Sequence, residues 1–141
     1  MGDFEVVIRE GKPSDHSWIM SSWLSSYLEH TDNRLVRKMP RHEYYRRWRR
    51  IALCLLTQSR VLIACPGFDL DTILGWCVVE PPDRLHYVHV RQEAQHNGVC
   101  RALLNACELG PTVLYSHRTT CSDELPTPDA WVYAPWLVIG A

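Results

Sequence analysis

Leu85-His86-Tyr87-Val88-His89-Val90-Arg91-Gln92-Glu93-Ala94-Gln95-His96-Asn97-Gly98-Val99-Cys100-Arg101-Ala102-Leu103-Leu104 is the stretch that decides the fold. Its first six residues are rich in β-branched and aromatic side chains, which suits a pleated, half-buried strand. Val99, Leu103 and Ala106, with Ala102 alongside, recur at helical spacing. Gly110 followed by Pro111 marks the expected end of that helix. Between strand and helix stands Gln95-His96-Asn97-Gly98-Val99-Cys100. A loop that feeds successive backbone N–H groups into a helix N-terminus makes an anion site. The same residues also read as an ordinary Asn-Gly turn, and spacing alone does not separate the two.

Upstream, Pro81 and Pro82 turn the chain into this strand. Residues 60–65 and 72–80 read as two strands joined by a turn over 66–71, which predicts a hairpin. Gly75 within the second predicts a bulge or a close backbone approach. Further back, residues 4–9 alternate as a first strand, and Gly11-Lys12-Pro13 breaks it. Ser14 or Asp15 is placed to cap a helix over about 15–29, with Ile19, Trp23 and Tyr27 beside Met20, Leu24 and Leu28 on its apolar face. A second helix is expected from near His42, after Pro40, to about Gln58, with Tyr44, Trp48, Ile51, Leu55 and Leu56 on its stripe. Downstream, 112–117 reads as a strand, 118–130 as a polar loop with prolines, and 131–139 as a final strand that Pro135 assigns to an edge or a bulge. The order β-α-α-β-β-β-α-β-loop-β predicts an α/β (α+β layered) domain, a central sheet flanked by helices, in one domain over 1–141.

The totals limit the function classes. The chain has 141 residues and a net charge of -1, so it is not as a whole an electrostatic magnet for DNA or a membrane surface. No apolar run approaches the roughly 20 residues that a spanning helix needs. Residues 1–5 lack the apolar core of a signal peptide, and a cytoplasmic protein is expected. The six cysteines form no Cys-x-x-Cys pair and sit mostly in apolar segments, so free thiols are expected and the spacing gives no metal signature. One segment departs from the average. Arg34, Arg37, Lys38, Arg41, Arg46, Arg47, Arg49 and Arg50 are opposed locally by Glu43 alone. They read as a solvated helix face, or as a patch for an anionic partner such as nucleic acid, a phosphate-bearing substrate or a cofactor phosphate.

With these residues in this order, the chain resembles the GNAT-type acyl-CoA N-acyltransferase superfamily. Gln95, Gly98 and Cys100 fall on the family's Gln/Arg-x-x-Gly-x-Gly/Ala motif, with Cys100 where a Gly or Ala is usual. Val90 falls on the strand-end valine, Glu93 on the acidic residue before the loop, and Ala102-Leu103-Leu104 on the helix continuation. Ile73-Leu74-Gly75-Trp76 looks like the family's third strand, and Val7-Ile8-Arg9 with Asp15 like its opening strand and helix start. The resemblance spans about residues 4–117; beyond it the family's further helix, with its Asn and Tyr, has no counterpart in the pattern.

The resemblance implies a GNAT-like mixed, mostly antiparallel sheet and transfer of an acetyl group from acetyl-CoA to a primary amine by direct attack. It implies that backbone N–H groups of Gln95, His96, Asn97, Gly98, Val99, Cys100 and Arg101 cradle the CoA pyrophosphate. It also implies that the backbone of Val88, His89 and Val90 holds the pantetheine arm. The chemistry needs a deprotonated amine, a stabilised oxyanion and a protonated leaving thiolate. His86 and His89 have the intrinsic pKa of a base near neutrality, though strand alternation points them to opposite faces. Glu80 stands at a strand end beside the expected cleft. Tyr133, with Tyr115 as the other option, stands where the family's acid tyrosine would be sought. Each of these also reads as a packing or surface residue. The acceptor site is expected between the first two helices and the final strands, with the basic helix favouring an anionic or nucleic-acid-linked amine. Monomer and homodimer remain equal expectations. Two other readings stand beside this one: a GNAT-like binding module without catalysis, and a nucleic-acid-binding protein using residues 34–50.

Overall fold

The computed structural model describes residues 5–118 and 131–138. Strict alternation sorts its core into two layers. Along β2 (Arg60–Pro66), Val61, Ile63 and Cys65 face one layer while Leu62 and Ala64 face the other. Along β3 (Gly75–Glu80), Trp76 and Val78 oppose Cys77 and Val79 in the same way. With β1 (Val6–Glu10), β4 (Arg84–Val90), β5 (Val113–Tyr115) and β6 (Trp131–Tyr133) these make a six-stranded sheet in chain order. β1 to β4 pair antiparallel; β4–β5 and β5–β6 pair parallel. The sheet is therefore mixed and mostly antiparallel, as expected.

α1 (His16–His30), α2 (Arg34–Lys38) and α3 (Arg41–Gln58) supply one layer, with Ile19, Trp23, Tyr27, Val36, Tyr44 and Leu55 fully or almost fully buried. α4 (Val99–Ala106) alone supplies the other through Val99 and Leu103. Each such side chain contributes about 1.5–3 kcal/mol relative to exposure. Arg9 joins β1 to the start of α1: its Nη1 and Nη2 donate to Asp15 at 2.8 and 2.9 Å, and its Nε donates to Leu70 O at 2.9 Å.

Several element boundaries differ from expectation. Asp15 does not cap α1; its carboxylate is turned to Arg9 and to the Lys12 N–H at 2.7 Å. The basic segment holds a short helix of its own, α2, because Asn33 Oδ1 accepts from the N–H groups of Leu35 and Val36. β3 begins at Gly75 rather than 72, since Asp69 holds Thr72 in the preceding turn through a 2.6 Å bond. α4 stops at Ala106, four residues before Gly110, and Glu108 follows with a φ of 58°. The final apolar run is a strand only over Trp131–Tyr133; Pro135–Val138 is a 3-10 turn. Phe4, residues 119–130 of the loop expected over 118–130, Cys121 among them, and residue 139 lie outside the described residues. The other five cysteines are free thiols. Among the described residues no helix is long and apolar enough to cross a membrane.

Candidate active site

Two features of β4 build the site. Across β3, Val78 faces Tyr87 but Val79 faces Leu85, so His86 is an extra residue in a β-bulge. The bulge resets the alternation. Leu85 packs into the α4 layer, and Tyr87, two residues on, packs into the α1–α3 layer. The expectation that His86 and His89 point to opposite faces is corrected here: it assumed an unbroken strand. His86 turns toward Glu80, which accepts from Gln58 at the end of α3, while His89 packs against Trp18 and Trp76. The second feature is a fork. β4 and β5 pair only as Arg84↔Leu114 and Leu85↔Tyr115. Beyond Leu85, whose carbonyl accepts from Ser116 N at 3.1 Å, the side chains of His86, Ser116 and His117 meet where the pairing ends.

Those side chains form a polar chain inside an aromatic wall. His86 Nε2 lies 3.5 Å from Glu80 Oε1, and His86 Nδ1 lies 2.8 Å from Ser116 Oγ. Ser116 Oγ lies 2.9 Å from His117 Nδ1. His86, Ser116 and His117 are all buried. The ring of His117 meets Tyr27 at 4.9 Å, Trp23 at 5.4 Å and Tyr87 at 5.9 Å, each edge-on. Its Nε2, like His86 Nε2, has no hydrogen-bond partner among the described residues. Burial first, then the neighbouring His86, pushes the His117 imidazole down to about 3. Burial also lowers His86, although Glu80 opposes it, and pushes His89 down to about 4. All three rings are therefore neutral at pH 7.

The outer rim of the fork belongs to β6. Tyr133 stacks on Tyr115 at 5.6 Å, and the Arg118 guanidinium lies 6.0 Å over the Tyr133 ring while its Nε donates to Asp32 at 3.1 Å. Burial and the Asp32 carboxylate raise the Tyr133 phenol, and burial pushes Tyr27 up to about 12. Both phenols keep their protons at neutral pH.

At the far end of β4 lies the loop singled out in the sequence. Arg91 leads into a 3-10 turn, Gln92–Ala94. Gln95 Nε2 donates to Val90 O at 3.3 Å, and Asn97 Nδ2 donates to Gln95 O at 2.8 Å, so side chains brace the loop from within. His96 and Gly98 have φ of 64° and 79°, both left-handed. Successive amides in such a conformation turn inward as an anion nest. Ala102 N bonds back to Gly98 O at 3.0 Å, and the amides before it begin the helix and have no helical acceptor. A Cβ built on Gly98 meets nothing within 4 Å, so the loop faces open space. Gly75 supports the loop from beneath. A Cβ there would lie 2.7 Å from His89 O and 3.2 Å from Val99 Cγ1, which is the close approach expected of this glycine. Val88 and Val90 pack into the α4 layer. Cys100 is half-buried and burial raises its thiol, so it packs rather than reacts.

The structure thus gathers Glu80 and His86 at the fork, with Tyr133 on its rim. It sets His89 apart against Trp18. The loop residues 95–101 lie together at the α4 N-terminus. Ser116, His117 and Tyr27 were not singled out in the sequence. A Ser-His pair ending a short strand is a faint signal, and the Tyr27 spacing reads simply as core. On α3, Glu43 accepts from both Arg46 and Arg47, whereas Arg34, Arg37, Arg41, Arg49 and Arg50 stand exposed. A hollow of about 450 Å³ beside Trp18 and Arg91 includes none of the fork residues.

No family model and no curated protein sequence matches the chain. Solved structures do. A candidate acetyl transferase from Pyrococcus furiosus superposes with a TM-score of 0.58 at 18% identity, covering 74% of this chain and 72% of that one. A GCN5-related N-acetyltransferase from Rhodopseudomonas palustris gives 0.51 at 16% identity over 77% and 67% of the two chains. Apo YjaB from Escherichia coli gives 0.52 at 14% identity over 73% and 64%. These superpositions, with the mixed six-stranded sheet and its flanking helices, show that the chain has the GNAT N-acetyltransferase fold.

Proposed function

We propose that the protein is an acyl-CoA-dependent N-acetyltransferase that moves the acetyl group of acetyl-CoA to a primary amine by direct attack. The observation that carries this reading is the left-handed Gly98 loop, open to solvent at a helix N-terminus and lying at the end of the strand that forks from β5. The residues present fit the group. Amides of 95–101 would hold the pyrophosphate, as anions are held at helix N-termini. The backbone of Val88, His89 and Val90 would align the pantetheine arm toward the fork. Bound acetyl-CoA supplies an electrophilic thioester carbonyl and a thiolate leaving group.

The chain's own groups divide the proton work. The His86–Glu80 pair, 3.5 Å apart, is the destination of the proton that the amine loses. Tyr133, a phenol kept protonated, would return a proton to the leaving sulfur. His89 is held neutral among tryptophans and lines the wall of the cleft. Cys100 is not called on, because direct attack needs no covalent nucleophile. The exposed arginines of α2 and α3 favour an acceptor amine with anionic character, and a nucleic-acid-linked amine fits that chemistry. Turnover tests the reading: free thiol release from acetyl-CoA, with mass detection of the acetylated product, across a panel of amines. Product with at least one amine supports it. Firm acetyl-CoA binding with no turnover for any amine would favour a binding module instead.

A further inference from the structure

The polar chain at the fork has one consistent polarity, and Glu80 sets it. An acceptor carboxylate beside an imidazole nitrogen favours a proton on that nitrogen. Glu80 Oε1, 3.5 Å from His86 Nε2, makes no hydrogen bond there but its charge favours a proton on Nε2 and a bare Nδ1. The Ser116 hydroxyl, 2.8 Å away, must then donate to that Nδ1, in preference to the longer 3.4 Å contact with His86 O. Ser116 Oγ is left as an acceptor, so His117 Nδ1, 2.9 Å away, donates to it. Two ring nitrogens make no hydrogen bond among the described residues: His86 Nε2, which has the Glu80 carboxylate 3.5 Å away, and His117 Nε2. His117 Nε2 is left with a bare lone pair, buried and without a partner among the described residues, inside a wall of Trp23, Tyr27 and Tyr87 where β4 and β5 part. An orphaned acceptor in an apolar wall is destabilising, and a ligand N–H would satisfy it.

We infer that His117 Nε2 is the acceptor for the N–H of the attacking amine, and that Ser116 and His86 relay the proton it receives to Glu80. This rests on the transferase reading above. As the amine nitrogen bonds to the acetyl carbon and the C–S bond breaks, the amine proton passes to His117 Nε2. The Nδ1 proton of His117 moves to Ser116 Oγ, the Ser116 proton to His86 Nδ1, and the Nε2 proton of His86 to the Glu80 carboxylate. The thiolate takes a proton from Tyr133 or water. Each histidine ends as its other neutral tautomer, so no imidazolium is stored at sites where burial disfavours it. The Glu80 side chain is 22% exposed and returns its proton to water. The titratable and charged groups around the relay are Tyr27 on α1, Tyr87 and Arg84 on β4, and Asp32, Arg118 and Tyr133 at the rim.

Nitrogen-15 NMR of the histidine rings tests the polarity without turnover. The result expected is His117 protonated on Nδ1 and His86 on Nε2; the opposite tautomer at either ring overturns the relay. Kinetics test its use. Ser116→Ala should lower kcat about 10²- to 10⁴-fold with the KM for acetyl-CoA unchanged, and Ser116→Thr, which keeps the hydroxyl, should restore most of it. A wild-type proton inventory in mixed light and heavy water should be curved, as several protons move together. Equal kcat in Ser116→Ala and wild type overturns the relay while leaving the transferase standing. A wild type inactive with every amine overturns the transferase reading, and with it the use of the relay, even where the ring tautomers are as expected.

Discussion

Mild acid should unfold this protein through its buried histidines. His117 and His89 hold folded values of about 3 and about 4, against about 6.5 in the unfolded chain, chiefly because burial penalises the charged ring. Below pH 6.5 the unfolded chain therefore binds protons that the folded chain refuses. Stability from these groups is complete above pH 6.5 and is lost as pH falls toward the folded values. At pH 5 the unfolded rings are almost fully charged and the folded rings almost fully neutral, so each costs about 2 kcal/mol. Together that is about 4 kcal/mol, a large share of the 5–15 kcal/mol typical of a domain. His86, also lowered by burial, acts in the same direction. Asp15 does not confuse the window: Arg9 lowers its value below 3.8, so its contribution is lost only at more acid pH. Urea unfolding at pH 7.5, 6.5, 5.5 and 5.0 reads the effect. Wild type should lose at least about 4 kcal/mol across the series. His117→Gln and His89→Gln should each flatten the curve by about half that amount, whatever their stability at pH 7.5. Identical pH slopes in wild type and both variants would refute the reasoning.

Other substitutions probe the frame of the site. Gly75→Ala places a methyl 2.7 Å from the backbone oxygen of His89, which cannot swing aside, so thermal unfolding should report a loss of about 1–3 kcal/mol. Gly98→Ala has room for its methyl but must keep a φ of 79°, so its cost should be near 1 kcal/mol, and acetyl-CoA should bind it more weakly than it binds wild type. Asp15→Ala leaves Arg9, 14% exposed, without its carboxylate, and denaturant unfolding should show a loss of about 3 kcal/mol.

The layers of this fold were legible because unbroken apolar runs mark the doubly covered strands β2 and β3, and apolar periods mark α1 and α3. The Gly98 loop was legible because a left-handed turn into a helix needs a residue like glycine. What escaped was decided by tertiary contact. The bulge at His86 has no mark in the sequence, because it arises from the register between β3 and β4, and it alone brings His86 to Glu80 and Ser116. His117 joins them only because β5 pairs with β4 for two residues and then diverges. The capping role expected of Asp15 was lost to Arg9, a residue six positions back, whose bidentate charge-assisted bonds outweigh a helix cap. The early end of α4 also comes from outside the helix pattern: Glu108 turns left-handed, and Gly110 N bonds to Pro82 O at 2.7 Å.

The proposed transferase requires the Gly98 loop and the fork of β4 to form one acyl-CoA site. Amide NMR during a titration with acetyl-CoA tests it most directly. The account predicts saturable shifts that are largest at residues 96–101 and at Val88–Val90, and that extend to Ser116 and His117. No shift at millimolar acetyl-CoA, or shifts confined to the hollow beside Trp18 and Arg91, would contradict it.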